Sequence, residues 1–391
     1  MKEQDAVFFE GQCKRDQSQA CMNSAECSLN SIFYELIRVA IGTQESLSRL
    51  PKEAEWDELF DMAVKQSLVG VCFAGIHQLG AASDGGYSRI GMSEEQYFNW
   101  MGMALQIQMR NETVNQQCAV LQKRLSADGF RSCILKGQGV AALYGENLCN
   151  FRQSGDIDVW VQNKSIEDLV AYVKGLGAKY KATAAHVESR LFDDTEVELH
   201  SEPAFMRSFV NNRILKGWLG KYNINDFLEI NGLVVPSQEF NLVYMMVHMY
   251  HHILFEGLGL RQVMDYYYVL QEGVSETLKR KTMKIVSELG MRRFISGMMW
   301  VMKEAFDLDE QHMLCVSNER YGRLLLDEIM EGGNFGHHDE KNKKLHGGSA
   351  VGRSLNGLKR NMKFFALGPR EVMCTPLWSL WHWCWRKRKK L

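Results

Sequence analysis

The chain has 391 residues, which at roughly 150 per domain allows two or three packed units, and its 46% hydrophobic and 24% charged residues exclude a disordered or fibrous protein. The 46 Lys and Arg against 47 Asp and Glu leave a formal net charge of −1, so no global field draws the chain to nucleic acid or to an acidic substrate, and any such contact must be local. Only 5 Pro favour long helices over a turn-rich all-β fold.

The opening segment, 1–30, is polar and dotted with Gln, Ser and Cys, and is expected to be disordered or loosely ordered. It has no basic n-region followed by an apolar h-region and cleavage site, so the 10 Cys of this long chain are read as thiols in a reducing cytoplasm. Cys13, Cys21 and Cys27 lack C-x-x-C spacing, and Cys133 lies in an apolar run where a small buried hydrophobe is expected. No window approaches about 18 uninterrupted apolar residues, so no membrane-spanning helix is predicted.

Helical spacing begins at Ser31 with Phe33, Leu36, Ile37 and Ala40, and resumes after Pro51 with Trp56, Leu59, Phe60, Ala63 and Val64. Ser93-Glu94-Glu95-Gln96 has the form of a capping box, and Phe98, Met101, Leu105 and Met109 are expected to mark one face of a helix running to about Asp128. Residues 31–128 therefore form a helical N-terminal region.

The period changes at Asp128-Gly129. Residues 130–135 read as a short strand stopping at Lys136-Gly137, and 138–144 as a short helix before a Gly/Asn loop. Residues 156–161 alternate, with Ile157, Val159 and Val161 on one face and Asp156, Asp158 and Trp160 on the other. A helix over 165–176 and strand-like stretches up to Val197-Glu198-Leu199-His200 complete a small sheet core over 129–203. From Pro236 onward the period is helical again, giving a helical C-terminal region over 204–375, and His337 to Gly348 read as an exposed polar loop. There is no internal repeat in the range of about 20–50 residues.

Chemistry concentrates on Asp156 and Asp158. Two carboxylates at i, i+2 on a strand point the same way, close enough to share divalent cations, and Asp is disfavoured in strands unless its charge is solvated or neutralised. A solvated edge strand is the alternative. The neighbourhood adds Arg152, the Ser154-Gly155 turn and a second strand carrying Glu198 on the face opposite to Val197 and Leu199.

The run Leu135-Lys136-Gly137, then Ala141, Ala142, Leu143 and Tyr144, then Arg152-Gln153-Ser154-Gly155-Asp156-Ile157-Asp158-Val159-Trp160-Val161 resembles the nucleotidyltransferase superfamily. Within it, the chain is most similar to the bacterial "uncharacterised nucleotidyltransferase" family, related to abortive-infection toxin enzymes. There a Lys-Gly turn stands where polymerase-β-like enzymes have Gly-Ser, and Val-Glu-Leu-His at 197–200 resembles the third-carboxylate strand. The similarity is strongest over 130–202.

The resemblance implies an α+β fold, a small nucleotidyltransferase-like mixed β-sheet core flanked by N-terminal and C-terminal α-helical regions. It implies Mg²⁺-dependent two-metal transfer of a nucleotide from an NTP, ATP among them, to the hydroxyl of a small molecule, protein or RNA. Asp156, Asp158 and Glu198 would then be the catalytic, metal-holding acids, with Glu198 as proton acceptor. Lys136, Gly137, Arg152, Ser154 and Gly155 would bind the nucleotide, the backbone N–H groups at Gly137 and the next helix N-terminus adding donors. The alternatives are a toxin-like tRNA-modifying enzyme and a catalytically inactive nucleotide-binding or membrane-surface module.

Two outlying features complete the reading. His248, His251 and His252 share a helix face and are read as a structural cluster, with a metal site as the rival; Arg261 and Asp265 are read as an i, i+4 pair. The Trp-rich basic tail, 376–391, is read as a helix docked on the core by its tryptophans. Weak contact with an anionic membrane surface, or with RNA phosphates, remains open.

Overall fold

A computed structural model of the chain describes residues 29–81, 86–333 and 362–389. The expected disorder over 1–30 falls almost wholly, and the polar stretch from His337 to Gly348 wholly, outside the described residues. Helix α1 covers 29–41, followed by α2 (Glu53–Gln66), α3 (Val69–Ala81) and the long α4 (Glu94–Ala127). Ser93 caps α4 through the anticipated box: its hydroxyl accepts from Gln96 N, and the Gln96 side chain accepts from Ser93 N.

The buried face of α4 is not the expected one. Trp100, Ala104, Ile107, Asn111, Val114, Cys118, Leu121 and Leu125 face the interior, whereas Phe98, Leu105 and Met109 are 50%, 50% and 69% exposed. Two stripes satisfy the helical period in the first turns, but only the interior one continues through the whole helix. That stripe contains a polar residue, which hides it from a hydrophobic count. Asn111 donates through Nδ2 to the carbonyls of Asn150 and Arg152, so α4 anchors the loop that leads into the site.

The core sheet comprises β1 (Ser132–Ile134), β2 (Ile157–Val161), β3 (Tyr180–Ala182), β4 (His186–Ser189) and β5 (Val197–His200), in the order β1-β2-β5-β4-β3. Only the β2–β5 pairing is parallel. Between β1 and β2 lie α5 (Lys136–Ala141) and α6 (Gly145–Leu148); α7 (Ile166–Gly175), capped by Ser165, covers one face of the sheet. With helices flanking this mixed sheet the fold is α+β.

After α8 (Phe209–Leu219) the chain forms a hairpin of β6 (Leu228–Ile230) and β7 (Leu233–Val235), inside the stretch expected as a helical region. Its two turn residues are Asn231 and Gly232 at φ 53° and 77°, the left-handed pair that matches strand twist in a two-residue hairpin. Further helices among the described residues are α9 (Gln238–Phe255), α10 (Leu260–Gln271), α11 (Glu276–Glu288), α12 (Arg292–Phe306), α13 (Glu319–Gly332) and α14 (Pro369–Lys389).

N-terminal and C-terminal helices bury their side chains in one cluster, which includes Phe33, Trp56 and Trp100 together with Phe240, Tyr244 and Phe294. A second cluster lies between the sheet, α7 and the last turns of α4. All described cysteines are free. Among the described residues no helix is long and apolar enough to cross a membrane.

Residue 376 lies inside α14, a single helix that docks and protrudes at once. Glu371 is buried and accepts from Arg207 N, Ser208 N and Asn211 Nδ2, while Trp378 stacks on Phe205 at 5.5 Å. Leu377, Leu380, Trp381 and Trp383 are 61%, 60%, 45% and 50% exposed. Deleting 376–391 removes the half-buried Trp378 stack, so the loss of stability is expected near 1–3 kcal/mol, below the ~3–5 of a fully buried aromatic. A fall in thermal midpoint of a few degrees checks this; an unchanged midpoint assigns Trp378 no packing role.

Candidate active site

Lys136 and Gly137 follow β1 after the single residue Leu135, at φ 33° and 34°. Gly adopts such a conformation freely; for Lys it costs of order 1–3 kcal/mol, strain of the kind found where a side chain must be aimed. The turn sends Lys136 Nζ to within 2.8 Å of Asp158 Oδ1. At Gly139 a Cβ would lie 2.5 Å from the Ile134 carbonyl oxygen, so α5 can fold back on β1 only with glycine there. With six residues and a kink at Gly137, α5 has little dipole to offer an anion.

The parallel register places Asp158 opposite Glu198 and Ile157 opposite Val197. Asp158 and Glu198 therefore share a sheet face, with Asp156 just before β2. Ligand oxygens of Asp156, Asp158 and Glu198 all lie within 4.8 Å of one another. His200, two residues beyond Glu198 on the same face, brings Nε2 to 2.9 Å from Asp158 Oδ1 and 3.2 Å from Glu198 Oε2.

Burial works against the charges of Glu198, His200 and Lys136, and contact with their partners outweighs it. Burial alone would raise the Glu198 carboxyl, but His200 and Lys136 bring it down to about 2. Burial would lower His200, yet its bonds to Asp158 and Glu198 hold it up at about 9. Lys136, which burial would also lower, is held well above its usual range by Asp158, Asp156 and Glu198. Three clustered carboxylates make a hard, all-oxygen donor set that suits Mg²⁺-class ions.

Below the acids, a small hollow of ≈ 30 Å³ is lined by Lys136, Gly137, Arg152, Gly155 and Arg261 among others. Arg152 is buried, and its Nε and Nη2 donate to Asp265 at 2.6 and 2.7 Å, so most of its guanidinium is committed to the protein rather than offered to a ligand. Tyr144 also donates to Asp265 Oδ1, at 2.6 Å. The expected Arg261–Asp265 pair along the helix is replaced by this cross-chain pair, because α10 is buried there and its polar residues reach across instead of along. Arg261 Nη1 donates to the Gln153 carbonyl at 2.6 Å. Among the described residues, Arg152 Nη1, Ser154 Oγ and Arg261 Nε are buried without a hydrogen-bond partner.

Above the acids, an open cleft of ≈ 600 Å³ is bordered by Asp156, Glu198, His186, His200, Arg110 and Phe205, with further residues of α9 along one wall. The α9 histidines form a bonded chain: His248 Nε2 meets His252 Nε2 at 2.8 Å, and Glu256 lies 2.8 Å from His252 and 3.6 Å from His251. Burial pushes His248 well below its ordinary range and lowers His251.

All eight expected site residues lie within this neighbourhood, with Arg152 turned to Asp265 and Ser154 just outside the hollow. His200, His186, Arg261 and Gly139 were not anticipated. The strand period carried a signal for His200, since Glu198 and His200 are spaced i, i+2. His186 and Arg261 arrive from distant segments.

Comparison with known proteins bears on these residues. A family model described as "Uncharacterised nucleotidyltransferase" matches residues 52–307, more than half of the chain and all of the site. Among solved structures, an antigenic nucleotidyltransferase-like protein from Paracoccidioides brasiliensis is similar at 13% identity, over 53% of this chain and 95% of that one, with a TM-score of 0.29. No curated protein matches the chain.

Proposed function

We propose, from the premise that the chain belongs to the uncharacterised nucleotidyltransferase family, that it transfers a nucleotide from an NTP to an acceptor hydroxyl in a Mg²⁺-dependent reaction. The observation that carries this reading is the convergence of Asp156, Asp158 and Glu198 within 4.8 Å, with Asp156 and Glu198 bordering the open cleft. These acids would hold the ions; bound Mg²⁺ would supply Lewis-acid stabilisation of the charge that develops on the transferred phosphoryl group. Glu198, whose carboxyl His200 and Lys136 bring well below its usual range, suits a ligand better than a general base, whose ideal pKa lies near the working pH.

Lys136 and the unpartnered donors of Arg152 and Arg261 form the cationic side of the site, where triphosphate charge would be neutralised. Gly137 and Gly155 line the hollow and add no side chain to it. Lys136→Met is expected to weaken NTP affinity by about 1.5–3 kcal/mol, the size of a hydrogen bond to a charged group. Titration with a fluorescent NTP checks it, and an unchanged Kd would remove Lys136 from the nucleotide site.

The acceptor separates the finer readings. Incubation with each α-labelled NTP, Mg²⁺ and a cellular RNA, protein or metabolite fraction should leave label in one fraction. Label in tRNA selects a toxin-like enzyme, and NTP binding without any transfer selects an inactive module.

One observation favours a further contact. The outward stripe of Met373, Leu377, Leu380 and Trp381 on α14 runs toward Arg386, Lys387 and Arg388, a pattern suited to an anionic membrane surface. Salt-sensitive co-sedimentation with anionic vesicles that is lost on deleting 376–391 tests it.

A further inference from the structure

Strands β4 and β5 carry a block of four ligating side chains on the cleft face. His186 stands directly opposite His200, and Glu188 opposite Glu198, in an antiparallel register. Direct cross-strand neighbours have Cβ atoms about 4.5–5.5 Å apart, and i, i+2 neighbours share the face, so the block is fixed by backbone geometry rather than by side-chain choice. Ligand atoms of His186, Glu198 and His200 lie within 4.8 Å of one another.

We infer that His186, His200 and Glu198 form a second divalent-cation site, of the zinc class, distinct in its donors from the three-carboxylate cluster beside it. Two imidazoles and a carboxylate are the donor set that borderline ions prefer, whereas Mg²⁺ takes oxygens. His200 Nε2 and Glu198 Oε2 are 3.2 Å apart. Two donors on a tetrahedral ion with bonds of about 2.0–2.1 Å are separated by about 3.3 Å, so this pair already has the spacing of a tetrahedral edge.

Glu188 lies 3.3 Å from His186 Nε2; a carboxylate on one ring nitrogen commonly holds a histidine whose other nitrogen, here Nδ1, ligates the metal. The three residues all border the 600 Å³ cleft, which leaves a fourth coordination position open to water or a ligand. Because Glu198 belongs to both donor sets, a zinc-class ion here draws one acid away from Asp156 and Asp158. The inference stands on the β4–β5 register and is independent of nucleotidyl transfer.

The test uses the full chain and Co²⁺ alone, read by its visible d–d absorption, followed by displacement with Zn²⁺. The expected result is one tetrahedral Co²⁺ without thiolate charge-transfer bands. Its affinity should fall at least about 10-fold in H186A and in the shape-conserving H186N, and stay unchanged in H251A/H252A. Circular dichroism verifies that each variant is folded. Unaltered Co²⁺ binding in both His186 variants, loss of binding in H251A/H252A, thiolate bands, or no binding by the native chain would each overturn the proposal.

Discussion

Asp156→Asn is expected to lower Mg²⁺-dependent NTP turnover by about 10³-fold or more, because several kcal/mol of charge stabilisation depend on an intact acid set. The fold should survive. Asp156 is only half-buried and sits just before β2, and removing one of three mutually repelling carboxylates relieves like-charge repulsion. A thermal midpoint near that of the native chain, combined with collapsed turnover, is the expected pair of readings. Turnover that persists would place the chemistry outside the Asp156–Asp158–Glu198 cluster.

The second large effect is on stability. Asp265 accepts two bonds from Arg152 and one from Tyr144, all three groups being buried. Asp265→Ala leaves the Arg152 guanidinium without its counter-charge and the Tyr144 hydroxyl without its acceptor, beside a second buried cation at Arg261. A loss of about 3–5 kcal/mol is expected, as for breaking any buried pair from one side.

Replacing both partners, Arg152→Met with Asp265→Leu, should restore most of it, since the desolvation penalty of the remaining charge disappears. Urea unfolding measures both. Stability within about 1 kcal/mol of native in the single variant would show that Arg152 is not held by Asp265. Arg152→Met alone then separates its two roles, because a purely phosphate-binding arginine would lower NTP affinity without altering the urea midpoint.

Much of the site was legible in the sequence because strands have a strict period of two. Asp156 and Asp158 had to share a face once 157, 159 and 161 were read as the apolar side, and the same rule put Glu198 opposite Val197 and Leu199. Lys136-Gly137 was legible as the end of β1, though not its left-handed backbone. The capping box at Ser93 and the helical period from Pro236 onward followed from local pattern as well, though the break between Glu288 and Arg292 did not. The face of α4 did not, because two stripes satisfied the helical period and only packing chose between them. The β6–β7 hairpin was readable from Asn231-Gly232 and was missed because its strands are three residues each, too short to stand out against helical surroundings.

By itself the sequence determined what depends on neighbours within a few residues: element types, the strand faces, the acid pair and the glycine turn before it. Tertiary structure alone decided the pairings between distant segments. Burial is the physical reason. Arg152 meets Asp265 across 113 positions, and Lys136 and His200 converge on Asp158 from opposite sides, because a charge removed from water must be paired by whatever the fold brings near it. No local spacing encodes that partner, so Arg152, read from the sequence as a phosphate ligand, is held in the folded chain chiefly by a carboxylate on α10.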